Sequence, residues 1–136
     1  MKSWAVRLGV DMSVEVKQIT GDLLDWLYKQ IGCRIVEAVK IPDVCILERD
    51  DLIVMVDEEG LLRDHPQTNM IASVLCGHVI VGDAVLMRVG ETEDGDLDWM
   101  GLKSWNEASR VCLKAYDATM NAINEALKGA AGHEEG

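Results

Sequence analysis

The chain predicts an α+β fold, a small mixed β-sheet of about five or six strands with two short helices and one long C-terminal helix. Three observations carry this reading. Trp4, Val6 and Leu8 alternate with Ala5, Arg7 and Gly9, the two-residue period of a half-buried strand. Leu23, Leu24, Leu27, Tyr28 and Ile31 recur at helical spacing. Ser104-Trp105-Asn106-Glu107 is a capping box, and a broad apolar stripe follows it from Ala108 to Leu127.

The elements follow in order. After the first strand, Gly9 to Ser13 supplies a turn, and Val14 to Ile19 alternates again, which predicts a hairpin. Thr20 is the expected N-cap of the first helix and Gly32 its stop, with Asp22 and Lys29 placed to suit the helix dipole. Cys33 to Ile41 alternates and is rich in β-branched residues, so it reads as a strand ending at Pro42. Val44 to Leu47 is a short apolar run, and Leu52 to Val56 is unbroken enough to suit a central strand. Thr68 or Asn69 caps a helix running to Cys76, which Gly77 ends. Val79 to Val81 and Ala84 to Val89 flank Gly82-Asp83 and form a tight hairpin or one bulged strand. Glu91 to Asp98 is expected to be an acidic loop. The long helix is expected to stop at Gly129, giving one domain over 1–128 and a disordered tail over 129–136.

Composition bounds function. At 136 residues with 49% hydrophobic residues, one domain with a real core is the default, and with no Phe its interior rests on aliphatics and seven Met. The net charge of -11 argues against direct nucleic-acid binding, which needs a positive footprint, and leaves room for basic partners. Cys33, Cys45, Cys76 and Cys112 each sit in an apolar run, without a CxxC pair, so free thiols of a reducing compartment are expected. With no signal peptide or membrane span, the expected location is the bacterial host cytoplasm.

Thr20-Gly21-Asp22-Leu23-Leu24-Asp25-Trp26-Leu27, followed by Ile31 to Val39, resembles the opening of an uncharacterised domain family common in bacteriophages and bacterial mobile elements. Val56 to Gly60 is similar to that family's strand and Asp/Asn-Glu-Glu-Gly turn, and Asp64 to Asn69 to its Leu-Pro-x-Asn-like segment. Ile80-Val81-Gly82-Asp83 is similar to its later strand pair, and Leu102 to Glu107 to its final helix start. The chain departs from the pattern at His65-Pro66-Gln67-Thr68-Asn69, and its last helix is longer than in short members. The resemblance implies an accessory protein of a phage or mobile element, with no known reaction or catalytic residue to carry over.

The densest polar stretch is Asp57 to Asn69. Asp57, Glu58, Glu59, Asp64 and His65 have metal-ligating or acid/base chemistry, but turn formation accounts for them. Asp94, Asp96 and Asp98 begin a calcium-loop pattern that fails, because Trp99 stands where Gly is needed and Trp105 where the bidentate Glu is needed. Cys76-Gly77-His78 brings a thiol and an imidazole together in sequence only. No GxSxG, HExxH, Walker A or GxGxxG pattern occurs.

The expectation is therefore a non-catalytic protein without cofactor or metal, with a ligand site drawn from Glu59, Arg63, His65, Asn69 and Trp99. Arg63, Asn69 and the first amides of the following helix form its anionic-ligand core, and Trp99 offers a stacking face. Three functions fit: sequestering a small nucleotide-type signal of host immunity, acting as an acidic DNA mimic or inhibitor of a host defence enzyme, or serving as a structural or regulatory accessory domain without a ligand. The long helix also predicts a homo-oligomer.

Overall fold

The computed structural model describes residues 2–134, with side-chain surroundings through residue 130. Six strands and four helices follow one another as β1 (Ser3–Leu8), β2 (Val14–Ile19), α1 (Leu23–Ile31), β3 (Val36–Lys40), α2 (Val44–Leu47), β4 (Leu52–Asp57), α3 (Met70–Cys76), β5 (Ala84–Glu91), β6 (Leu97–Met100) and α4 (Trp105–Glu134). A 3-10 turn, Gly60–Leu62, lies between β4 and α3. The α+β class, the strand number and the long last helix are as expected, and α2 adds a short helix where only an apolar run was read.

The strands form one sheet in the order β2-β1-β5-β4-β3. β5 pairs its N-terminal half with β1 and its C-terminal half with β6, both antiparallel. The β1–β2, β3–β4 and β4–β5 ladders are antiparallel too, so the sheet is antiparallel rather than mixed. The helices lie on its two faces as covers, not as crossovers between parallel neighbours.

Three layers result. Ala5, Ile53, Met55, Val85 and Met87 face α1, where Trp26, Leu27 and Ile31 meet them. Val6, Leu8, Leu52, Val54, Val56, Ala84 and Leu86 face the other way, onto Ile71 and Leu75 of α3 and Ala108, Val111 and Ala115 of α4. Two covered faces explain why Leu52 to Val56 and Ala84 to Met87 are continuous apolar runs, whereas β2, at the sheet edge, alternates.

Several boundaries differ from the sequence reading, each for a local reason. Gly21 takes a left-handed φ of 69°, so the cap moves from Thr20 to Asp22, whose carboxylate accepts from Asp25 N at 3.0 Å. The third strand is confined to Val36–Lys40. Gly82, at φ 81°, breaks the chain after Val81, which makes only an isolated bridge to Thr68; there is neither a tight hairpin nor a bulged strand. The acidic loop expected over Glu91 to Asp98 narrows to residues 92–96, a turn containing Gly95, and its two ends join the ladder, Glu91 pairing with Leu97 and Gly90 with Asp98. α4 passes through Gly129 to Glu134, so the described part of the expected tail is helical and the last two residues lie outside the described ones. At its start the capping box closes on one side, Glu107 N donating to Ser104 Oγ at 3.0 Å, while the Glu107 carboxylate turns to Arg49 at 3.1 Å.

Candidate functional site

The Asp57 to Asn69 stretch lies beside the end of α1. β4 delivers Asp57 to the rim of the core, where its side chain is nearly covered. One Asp57 oxygen accepts from Glu59 N at 2.9 Å, which tightens the turn. The other accepts from Arg63 Nε at 3.0 Å and Nη2 at 2.8 Å. Arg63 Nη2 also donates to the carbonyl of Gly32, the left-handed cap of α1, at 3.3 Å. Arg34, two residues past that cap, binds Glu59 through Nε at 2.8 Å and Nη2 at 2.9 Å. This fork holds the Glu59 carboxyl below the usual carboxylate range. Gly60 is required where the turn meets the core, because a Cβ there would stand 2.7 Å from Val81 Cγ2.

Two clefts share Arg63 and Gly32 as a common wall. One, of about 390 Å³, is lined by Tyr28, Cys33, Arg34, Glu59 and Leu62. The other, of about 320 Å³, takes in Val10, Asp57, His65, Pro66 and Asp83. Asp83 is held there by Arg7 Nη2 at 2.6 Å and by Val10 N at 3.0 Å. Burial, with the nearby Asp57 charge second, raises the Cys33 thiol above its ordinary value, so it is a poor nucleophile. Among the described residues, no three His, Cys, Asp or Glu side chains come together as they would around a metal ion.

Of the sequence-predicted residues, Glu59 and Arg63 share the first cleft and His65 enters the second. Asn69 lines neither. It is fully buried, its Nδ2 donating to the carbonyls of Leu8 and Gly82, each at 2.9 Å, and its Oδ1 accepting from Ala72 N at 3.0 Å. That amide is committed to tying β1, the β5 approach and α3 together, and it caps α3 internally. Trp99 lies opposite Val89 on the β5–β6 hairpin and packs on the α1-side core, apart from both clefts. Cys76 is buried, its thiol pushed up to about 11, and the His78 ring meets the Cys76 carbonyl rather than its sulfur.

Sequence reasoning missed Tyr28 and Arg34 as lining residues. Arg34 finds Glu59 across 25 residues of chain, a pairing for which no local pattern exists. The available signal was the Gly32 stop, which had to turn the chain after α1 toward some neighbour.

Comparison with known proteins places the fold in context. No curated protein matches the chain by sequence. The crystal structure of the small RNA methyltransferase HEN1 is similar at 21% identity with a TM-score of 0.58, covering 82% of this chain but 16% of that one. At that identity the likeness shows shared fold alone, and this chain spans less than a fifth of the larger protein's length. The model of a domain of unknown function, DUF3846, matches residues 1–102, the whole sheet and the two clefts. The chain therefore belongs to the DUF3846 family, with α4 as an addition beyond the matched domain.

Proposed function

We propose that this protein is a non-catalytic accessory protein of a phage or mobile element that binds a small nucleotide-type signal of host immunity in the clefts around Arg63 and sequesters it. One observation carries the reading. Arg34 and Arg63 line a single concavity with Tyr28, and each is oriented by a carboxylate through Nε and Nη2, with no hydrogen bond at Nη1 among the described residues. Two pre-oriented guanidinium edges suit a phosphate, since less side-chain freedom is lost on binding. The Tyr28 ring offers a stacking face for a base, and His65 with Asp83 offers polar groups for a sugar in the adjoining cleft.

The test has two arms. Protein purified from cells that make nucleotide immune signals is denatured and the released molecules are identified by mass spectrometry. Thermal shift is then measured across cyclic nucleotides and ADP-ribose derivatives. A ligand at a hundredfold over its Kd stabilises by about 2.7 kcal/mol, and Arg34→Ala and Arg63→Ala should each abolish that shift. Nothing released, and no shift with any of these compounds, overturns the reading.

A second reading, an acidic inhibitor of a host defence enzyme, is favoured by a different observation. Leu61, Leu62 and Val79 are strongly exposed, and a groove containing Leu61 and Val79 is bordered by Glu37 and Glu58. That patch suits a protein with basic and apolar groups, bound in a salt-sensitive way. Loss of such binding in Leu61→Asp, with ligand binding intact, distinguishes the two readings.

A further inference from the structure

The long helix α4 has two apolar faces, and the fold uses one. Ala108, Val111 and Ala115 are buried against the sheet and α3, and Thr119, one turn on, is buried too. From Asn121 to residue 130 no position is buried, so the second half of the helix runs beyond its own domain. A helical segment of that length without packing is marginal in water.

Along this helix Leu113, Tyr116, Met120, Ile123, Leu127 and Ala130 follow one another at alternating spacings of three and four, the seam of a coiled coil. They belong to neither buried core cluster. Leu113 is 64% exposed, Tyr116 46% and Leu127 63%, large apolar groups left in water at regular spacing. The seam lies roughly a quarter-turn from the buried stripe, given about 100° per residue.

We propose that this face pairs with the same face of a second copy of the chain, as an antiparallel two-helix contact about a two-fold axis between Met120 and Ile123. Charge identifies the occupant. Residues 105–130 hold three acids, Glu107, Asp117 and Glu125, and three bases, Arg110, Lys114 and Lys128, so the whole net charge of -11 lies outside this segment. Two such acidic chains repel almost everywhere, and α4 is where they meet without opposing like fields. An antiparallel arrangement also sets the two acidic bodies at opposite ends of the paired helices. It places Tyr116 against Leu127, Met120 against Ile123, and the larger Leu113 against the smaller Ala130. The contact is isologous and closes at two copies. The seam spans about 26 Å, short for a coiled coil, so association is micromolar and concentration-dependent. This inference is independent of the ligand reading, because α4 lines neither cleft around Arg63.

Sedimentation equilibrium of the full chain over low to high micromolar concentration reads the mass directly. The expected result is a rise from one 15.0 kDa chain toward two. Leu113→Glu with Leu127→Glu should hold the protein at one chain throughout, with its near-UV spectrum unchanged because both positions are exposed. A wild-type monomer at the highest concentration overturns the proposal, as does a dimer that the double substitution leaves intact. A disulfide mapped between the two Ala130→Cys positions themselves would overturn the antiparallel arrangement, since it requires the two C-terminal ends to meet.

Discussion

Asn69 offers the sharpest test of how the fold is held. Its side chain makes three buried or part-buried hydrogen bonds, and its backbone N also donates to the Ile80 carbonyl at 2.8 Å. Asn69→Ala removes the cap of α3, a loss of about 1 kcal/mol. It also takes the donors from the Leu8 and Gly82 carbonyls, at about 1 to 3 kcal/mol for each acceptor left unsatisfied. The sum is on the order of 3 to 7 kcal/mol, a large fraction of the ~5 to 15 kcal/mol that holds a domain together. Urea denaturation should show the midpoint falling by that loss divided by the slope, with the slope unchanged. Asn69→Asp separates the two roles. It keeps the capping oxygen but turns a second oxygen toward two carbonyls, so it should be at least as unstable as Asn69→Ala at neutral pH. Its deficit should shrink in acid, where the protonated group regains one donor. An Asn69→Asp variant as stable as wild type at neutral pH would refute the clamp and leave only the cap.

Two further predictions rest on the same structure. Arg49 donates to both Asp51 oxygens, at 2.9 and 2.7 Å, and holds that carboxyl below its ordinary value. A depressed folded value means stability that is present above the ordinary carboxylate range and lost as pH falls through the folded value. Arg49→Met should therefore cost about 1 kcal/mol at neutral pH and flatten the fall of the urea midpoint in acid; an unchanged acid slope would refute the pairing. Among the thiols, Cys45 is exposed while Cys76 is buried with its thiol pushed up to about 11. Only about one in a thousand Cys76 side chains is then thiolate at pH 8, so peptide mapping after alkylation should find Cys45 modified first and Cys76 only at the rate of unfolding. Equal labelling of the two in the native protein would contradict the burial.

What the sequence determined by itself was the set of elements whose signals are local. The periods of β1, β2 and α1, the run of β4, a cap at Thr68 or Asn69 and the Ser104 start of α4 are each read from neighbours within a few residues, because capping and amphipathic faces act at that range. It also placed Glu59, Arg63 and His65 near one corner. The tertiary structure alone decided the rest. Arg34 reaches Glu59 only after α1 and β4 are laid side by side, and Asn69 becomes a clamp only when β1 and the approach to β5 bring the Leu8 and Gly82 carbonyls to its amide. The acidic side chains of Glu91 to Asp98 marked the loop over residues 92–96, but the pairing of its ends, Glu91 with Leu97 and Gly90 with Asp98, is made by backbone groups, which composition does not reveal. Polar residues that look alike in sequence, Arg63 at a cleft wall and Asn69 in the core, thus part company only when packing determines which of them keeps a face toward water.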